Sequence, residues 1–210
     1  MSARSALLAA LLTAIGLAGC STPPPPAAER YQPPAAGSSW SYLLRSDGSF
    51  GEARAEVPVR VEETRFEGRP VLSFEAGGQR QLQDRQGGLI AVTDLQGRVQ
   101  QRYEPPLGLE FPLAVGKTWT RDHTVLLAGS ARPQPFRATW VVEAYETVSV
   151  PAGRFGAWRM RYSDSFGESH TVWSAPESLG IFLKRVSTRP ASHNPGGAGQ
   201  RTMELQSLPR

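Results

Sequence analysis

The chain has 210 residues with 21 glycines, 18 prolines and one cysteine, a composition that excludes a coiled coil, a disulfide framework and a polytopic membrane protein and allows one compact domain of about 150 residues. A net charge of +4 arises from 23 basic and 19 acidic residues, which alternate in stretches such as 54–69. Because a nucleic-acid partner requires clustered basic residues, the sequence predicts no nucleic-acid partner and a solvated surface of mixed sign.

The chain begins with a pattern typical of an export signal. Residues 1–4 are short and basic, and residues 6–18 are apolar or small apart from Thr13 and Gly16. Such a core forms a helix of about 20 Å, whereas a bilayer-spanning helix needs about 20 residues. Residues 1–19 are therefore predicted to be a signal peptide that is removed from the mature protein.

The apolar core ends in the run Leu17, Ala18, Gly19, Cys20. This run resembles the lipobox of bacterial lipoproteins. The resemblance implies a diacylglyceryl thioether on Cys20, cleavage between residues 19 and 20, and acylation of the new amino group with a fatty acid such as palmitate. Two or more acyl chains anchor a protein stably, whereas one chain binds reversibly. The alternative is an ordinary secretory signal followed by a chance cysteine.

The residue after the cysteine bears on the destination. In Gram-negative lipoproteins an aspartate at that place usually signals retention in the inner membrane, so Ser21 favours the outer membrane. If the source is a Gram-negative bacterium, the resemblance implies a lipid anchor in the outer membrane and a domain that faces the periplasm. The lipid bilayer is then the predicted partner of acylated Cys20.

Residues 20–39 are predicted to be the lipidated cysteine and a Pro-rich flexible tether. Six prolines occur at positions 23–26, 33 and 34, with few large apolar side chains. Such a run favours polyproline II and can span roughly 50 Å. We therefore expect a spacer that holds a single folded domain, residues 40–210, away from the lipid surface.

From Trp40 onward apolar and polar residues alternate, which predicts half-buried strands in antiparallel sheets. Gly-containing pairs such as Glu67-Gly68 mark the turns. One long predicted face consists of Phe136, Ala138, Trp140, Val142 and Ala144. We predict ten to twelve strands, at residues 40–46, 55–66, 70–76, 79–84, 89–94, 98–103, 117–127, 136–149, 156–165, 169–174, 181–188 and 200–207. The predicted fold is all-β, a single antiparallel meander curled into a barrel or half-barrel.

Three later segments carry a family resemblance. They are Phe111–Trp119 with its Val-Gly-Lys, residues 148–155 with Val-Pro-Ala-Gly, and residues 173–181 with Ala-Pro. Together they resemble the TapB-like family of bacterial exported β-proteins, a domain of unknown function, over about residues 105–188. The resemblance implies a β-fold and no catalytic residue. Residues 177–179 lengthen the usual gap between Ala-Pro and the following glycine.

The side chains in these segments are of structural type. Gly116 and Gly153 allow a positive φ or a close backbone approach, and Pro151 presets a turn. Large aromatic residues supply buried area, namely Trp119, Phe155, Trp158 and Trp173. The pattern favours maintenance of the fold over a binding surface.

Few side chains suggest catalysis. Glu168 and His170 could share a strand face, but a metal needs a third ligand and none lies at a suitable spacing. His123, His170 and His193 are therefore expected to be exposed polar strand residues. Ser165 and His170 suggest a hydrolase, yet no Gly-x-Ser-x-Gly elbow accompanies them. We predict no catalytic residue, no metal, no cofactor and hence no enzyme.

Two functions from different classes remain open. The first is a non-enzymatic binding or structural module of the cell envelope, which works through contacts with an envelope protein or polymer. The second is a carrier of lipid or another hydrophobic ligand, because a curved sheet can enclose an apolar cavity. The second rests on fold analogy alone.

Overall fold

A computed structural model describes residues 25–178, 180–192 and 196–210. The predicted signal peptide, Cys20 and His193 lie outside these ranges. Within them the only helix is the single turn Pro176–Ser178, and no helix is long and apolar enough to cross a membrane.

Twelve strands follow one another along the chain, at the positions that the alternating pattern predicts to within a few residues. The strands are β1 Ser39–Gly48, β2 Ala53–Phe66, β3 Arg69–Ala76, β4 Gln79–Gln83, β5 Leu89–Asp94, β6 Val99–Leu107, β7 Thr118–Leu127, β8 Gln134–Val150, β9 Gly153–Asp164, β10 Ser169–Ser174, β11 Phe182–Arg189 and β12 Gly199–Ser207.

The strands form a closed barrel in which each strand pairs antiparallel with its neighbours in sequence and β1 pairs with β12. The closing ladder runs from Ser41 opposite Ser207 to Gly48 opposite Gly199. The all-β meander is therefore confirmed, and of the two predicted forms the structure adopts the closed barrel.

Two-residue turns join several strands with little distortion. Glu67 and Gly68, between β2 and β3, have φ angles of 49° and 78°. This left-handed pair matches the right-handed twist of the flanking strands, which is why glycine is favoured there. The turn predicted at Glu67-Gly68 is thus confirmed.

The antiparallel meander gives the barrel two ends. The upper end carries the turns after the odd-numbered strands, and the lower end carries those after the even-numbered strands. The described chain ends, residues 25–38 and 208–210, contact the lower end, where Arg210 and Ser39 exchange backbone hydrogen bonds.

The lumen face follows from the register. Trp40 lies opposite Val59, and Val61 lies opposite Phe74, so alternate residues of β1, β2 and β3 face the same side. These residues belong to the largest buried cluster, which contains Trp40, Tyr42, Val59, Val61, Leu72, Phe74, Val148, Ala157, Ala175, Ile181, Leu183 and Leu205. Alternation therefore places the apolar half of each strand inside the barrel.

The long hairpin of β8 and β9 departs from this rule. A bulge between Val142 and Ala144 shifts the register, so Val142 lies opposite Met160 whereas Ala144 lies opposite Arg159. The single face predicted for residues 136–144 is therefore wrong at Ala144. Bulges bend a strand and re-aim the side chains beyond them.

Below the bulge both faces of this hairpin are buried. One face packs Trp158 and Met160 against Ala28, and the other contributes Val148 and Ala157 to the largest cluster. At the hairpin tip the Ala152 N–H donates to the Leu205 carbonyl of β12 at 3.0 Å. The hairpin thus folds across the lower lumen and fills it.

Part of the predicted tether also packs against the barrel. Ala28 is buried, and its carbonyl accepts a hydrogen bond from Leu113 N–H at 2.9 Å. The Tyr31 hydroxyl donates to Gln83 Oε1 at 2.9 Å. Residues 28–37 therefore belong to the folded body, and the predicted 50 Å reach of the spacer is too long.

Candidate functional site

The upper lumen contains arginine side chains where the lower lumen contains apolar ones. Arg185 of β11 lies opposite Met203 of β12, which in turn lies opposite Leu44 of β1. Leu205, two residues along from Met203, is fully buried and pairs with Tyr42. Arg185 therefore lies on the lumen face.

Two further arginines share this face by the same register. Arg189 is four residues beyond Arg185, and Arg201 is two residues before Met203. Arg201 lies opposite Ser187, which occupies the position between the other two arginines. We refer to Arg185, Arg189 and Arg201 as the arginine cluster.

Arg185 is half-buried on the lumen face of β11. Its Nε is buried and has no hydrogen-bond partner among the described residues. Its Nη2 lies 3.5 Å from His170 Nδ1. Burial lowers the pKa of Arg185 from its ordinary value.

Arg189 and Arg201 meet at one aromatic ring. The guanidinium carbons of Arg189 and Arg201 lie 4.0 and 4.6 Å from the ring centroid of Phe50, in the turn after β1. Such cation–π contacts are favourable, but they do not neutralise charge. The Nε of Arg201 is buried without a partner among the described residues, and burial followed by repulsion from Arg189 lowers its pKa.

Acidic groups compensate the arginine cluster only in part. Glu168 accepts a hydrogen bond from Arg189 Nη2 at 3.4 Å. Asp164 accepts from the Tyr162 hydroxyl at 2.8 Å and from the backbone N–H groups of Phe166 and Glu168. Burial raises the pKa of Asp164 above its ordinary value. Three cations therefore face one paired glutamate and one aspartate that serves the turn.

His170 is a neutral member of the same wall. Its ring stacks on Tyr162 at a centroid distance of 4.4 Å and meets the edge of Trp140 at 5.6 Å. Burial and the neighbouring Arg185 lower the pKa of His170 to about 2. At physiological pH the imidazole therefore carries no charge and acts as a hydrogen-bonding group.

The side chains that suggested a hydrolase do not converge. Ser165 accepts a hydrogen bond from Arg137 N–H at 3.0 Å, and its own N–H donates to the Arg137 carbonyl. This is the environment of a turn residue. His170 instead faces Arg185, so these two side chains do not form a nucleophile–base pair in the described structure.

The expectation that the histidines are exposed is wrong for two of them. His123 is only 5% exposed, and its Nδ1 lies 2.9 Å from the Pro105 carbonyl. His170 is half-buried in the lumen wall. The neighbouring Asp122 points outward and pairs with Arg137, as strand alternation requires. Over the described ranges, no three His, Cys, Asp or Glu side chains gather as metal ligands.

The motifs of the predicted TapB-like resemblance have structural places. Gly116 and Gly153 have φ angles of 86° and 139°, which confirms their predicted need for glycine. Trp119 and Trp158 are buried in the lower lumen. Phe155 and Trp173 are half-buried against the largest cluster.

The arginine cluster was missed because alternating charges indicated a solvated surface. A signal was nevertheless present in the sequence. Arg185 and Arg189 are an even number of residues from Leu183 and so lie on the same strand face. Arg201 likewise lies on the same face as Met203 and Leu205. A basic residue on the apolar side of a strand is the pattern that points into the lumen.

Neither a protein-family model nor a curated protein matches the chain. The TapB-like resemblance therefore remains a prediction. Several solved structures are similar to this chain. One is the hypothetical lipoprotein YmcC of Escherichia coli K12, at 16% identity and a TM-score of 0.41, over 83% of this chain and 89% of that chain.

Two further solved structures are similar. A proposed exported protein with a YmcC-like fold from Bacteroides fragilis has 12% identity and a TM-score of 0.42, covering 85% of this chain and 98% of its own. A proposed lipoprotein from Parabacteroides distasonis has 9% identity and a TM-score of 0.42, covering 86% and 98%. Likeness at this level concerns the backbone arrangement alone.

Proposed function

We propose that the chain is a lipid-anchored, non-enzymatic binding module of the bacterial envelope, attached through Cys20 to the outer membrane and facing the periplasm. The lipobox-like run and Ser21 support the anchor and its destination. The observation that carries the binding role is the arginine cluster. Unpaired charged side chains inside a barrel destabilise the fold, so their presence there favours a function that needs them.

The placement of residues 28–37 supports an orientation. Gln32 accepts a hydrogen bond from Gly180 N–H, and Val61 accepts one from Gly37 N–H, both at the lower end. Even a fully extended chain spans about 28 Å over the eight steps from Cys20 to Ala28. The lower end is therefore held close to the lipid surface, and the upper end with the arginine cluster opens toward the aqueous compartment.

Replacement of the thiol tests the anchor. Cys20→Ala removes the only group that can form the thioether, so the variant should accumulate as an uncleaved precursor or leave the membrane fraction. Fractionation by density gradient and mass measurement of the mature N-terminus check this outcome. Ser21→Ala is the matched control, because it keeps the thiol. Normal membrane recovery of Cys20→Ala, or an unmodified N-terminus in the native protein, contradicts the proposal.

The alternative of a hydrophobic carrier has weaker support. A carrier needs an apolar cavity of ligand size. In the described structure the apolar lower lumen is occupied by Trp119, Val142, Trp158 and Met160. Recovery of stoichiometric lipid in an organic-solvent extract of the purified protein would favour the carrier over the binding module.

A further inference from the structure

We propose that the upper lumen is a binding site for a small phosphate-bearing molecule, held between Arg185 and Arg201. This inference goes beyond the envelope role, since it names a ligand class and the residues that recognise it. It does not depend on the lipid anchor at Cys20.

The first support is the unbalanced charge. Arg189 pairs with Glu168 and donates to the Ser49 carbonyl at 3.1 Å, so its charge is compensated, while its buried Nε also lacks a partner among the described residues. Arg185 and Arg201 have no acidic partner within 4.0 Å among the described residues. A guanidinium cannot lose its proton at physiological pH, so both positive charges persist. Two uncommitted cations match the double negative charge of a phosphate group.

The second support is the unused hydrogen-bonding capacity. The buried Nε atoms of Arg185 and Arg201 both lack a partner among the described residues. Buried polar atoms in native proteins are almost always satisfied, and an unsatisfied one points to a water or an ion. Arginine presents its N–H groups as a planar fork that fits phosphate oxygens in pairs. The donors needed for an oxyanion are therefore already in place.

The third support is the placement of the two arginines. Arg185 lies opposite Met203, and Arg201 is two residues before Met203 on β12, so the two side chains are diagonal neighbours on the lumen face. His170 adjoins them, with its Nδ1 3.5 Å from Arg185 Nη2, and its neutral ring can donate or accept a hydrogen bond.

A ligand would enter from the upper end, because the lower lumen is filled. Phe50 belongs to the turn after β1 and lies against Arg189 and Arg201. The lower lumen is filled by the β8–β9 hairpin. A ligand that enters from above would meet Arg201 first and Arg185 at greater depth. This arrangement suits a small soluble phosphate compound.

The test is phosphate affinity of the full chain, purified in detergent, by calorimetry at constant pH and ionic strength. Inorganic phosphate is the probe, and acetate and chloride are the comparison anions. We expect phosphate to bind at least about tenfold more tightly than acetate, because two guanidinium groups favour a doubly charged oxyanion. Arg185→Met and Arg201→Met should each weaken phosphate binding by at least about tenfold.

Arg45→Met is the matched control, since Arg45 lies exposed on the outer face of β1. It should leave phosphate affinity unchanged. Arg185→Lys keeps the charge without the fork and should retain part of the affinity. If Arg185→Met fails to fold, the phosphate affinities of Arg201→Met and Arg185→Lys still test the proposed site.

A second readout separates a binding role from a structural one. Without phosphate, Arg185→Met should unfold at a higher temperature than the native chain, because replacing a buried unpaired charge by an apolar side chain is often stabilising. With phosphate, the native chain should gain thermal stability and the variant should not. Phosphate binding that is absent, no tighter than acetate, or equal in native and Arg185→Met proteins overturns the proposal.

Discussion

The lower and upper halves of the lumen are lined by the same strands but differ in the side chains that these strands place there. In the lower half, Trp158 and Met160 are each 1% exposed and pack with Ala28 and Leu113. In the upper half, the buried Nε atoms of Arg185 and Arg201 have no partner within the part of the chain that the structure describes. Apolar burial stabilises a fold, whereas buried unpaired charge destabilises it. The lower half therefore supplies the stability that allows the upper half to retain a polar site.

Trp158→Ala should produce the largest effect on this contrast. Truncation of a fully buried tryptophan removes apolar area and leaves a cavity, which costs about 3–5 kcal/mol. Phe166→Ala is the control at the upper end, where the ring is 47% exposed, and it should cost less than about 1 kcal/mol. Urea unfolding of the full chain, followed by circular dichroism, measures both. Equal losses would show that the two halves do not differ as described.

Gly48→Ala should produce the next largest effect, at the upper end of the closing ladder. Gly48 has a φ of 56°, and a Cβ there would lie 2.3 Å from the Ala198 carbonyl oxygen, which is backbone. Gly97 also has a positive φ, 81°, but a Cβ there meets no atom within 4 Å. Gly97→Ala should cost about 1–2 kcal/mol from the left-handed conformation alone.

Gly48→Ala should cost clearly more than Gly97→Ala, because β1 or β12 must move. The difference between the two unfolding free energies measures the tightness of the seam between β1 and β12. If both substitutions cost the same, the seam accommodates a side chain.

The smallest effect concerns acid. The folded pKa of His170 is about 2, well below the ordinary value of 6.5, so its contribution to stability is present above pH 6.5 and lost as the pH falls. Below that value the unfolded chain binds a proton that folded His170 does not, which lowers the unfolding free energy by about 1.4 kcal/mol per pH unit.

Native and His170→Gln proteins therefore differ in their pH response. Unfolding by urea at pH 6.5 and at pH 5 should show a steeper loss for the native chain, by about 2 kcal/mol over this interval. Asp164 remains in both proteins, so its own titration cancels in the comparison. Identical slopes would mean that the His170 ring becomes protonated within the folded barrel.

Much of the fold was predictable because strand alternation and glycine turns are local signals. All twelve strands and the turn at Glu67-Gly68 follow from them. The bulge between Val142 and Ala144 was not predictable, because an extra residue leaves the number of apolar residues in a strand unchanged. The packing of Ala28 was also missed, because a Pro-rich run contains no periodicity that would indicate contact.

The candidate site could not be predicted from local sequence patterns, for a different reason. Arg185 and Arg201 are on separate strands, and only the closure of the barrel directs both into one lumen. The sequence does show that Arg185 lies on the same strand face as Leu183, and Arg201 on the same face as Leu205. What the sequence could not show is that the facing walls, over the described ranges, place no acidic partner within 4.0 Å of Arg185 or Arg201.

Closure of the barrel also has a consequence for folding. β1 completes its second ladder only with Gly199–Ser207, a strand about 150 residues further along the chain. Until β12 docks, β1 exposes unpaired backbone groups of the kind that attract other chains. A folding helper that shields strand edges would therefore act before the nine residues of β12 pair with β1.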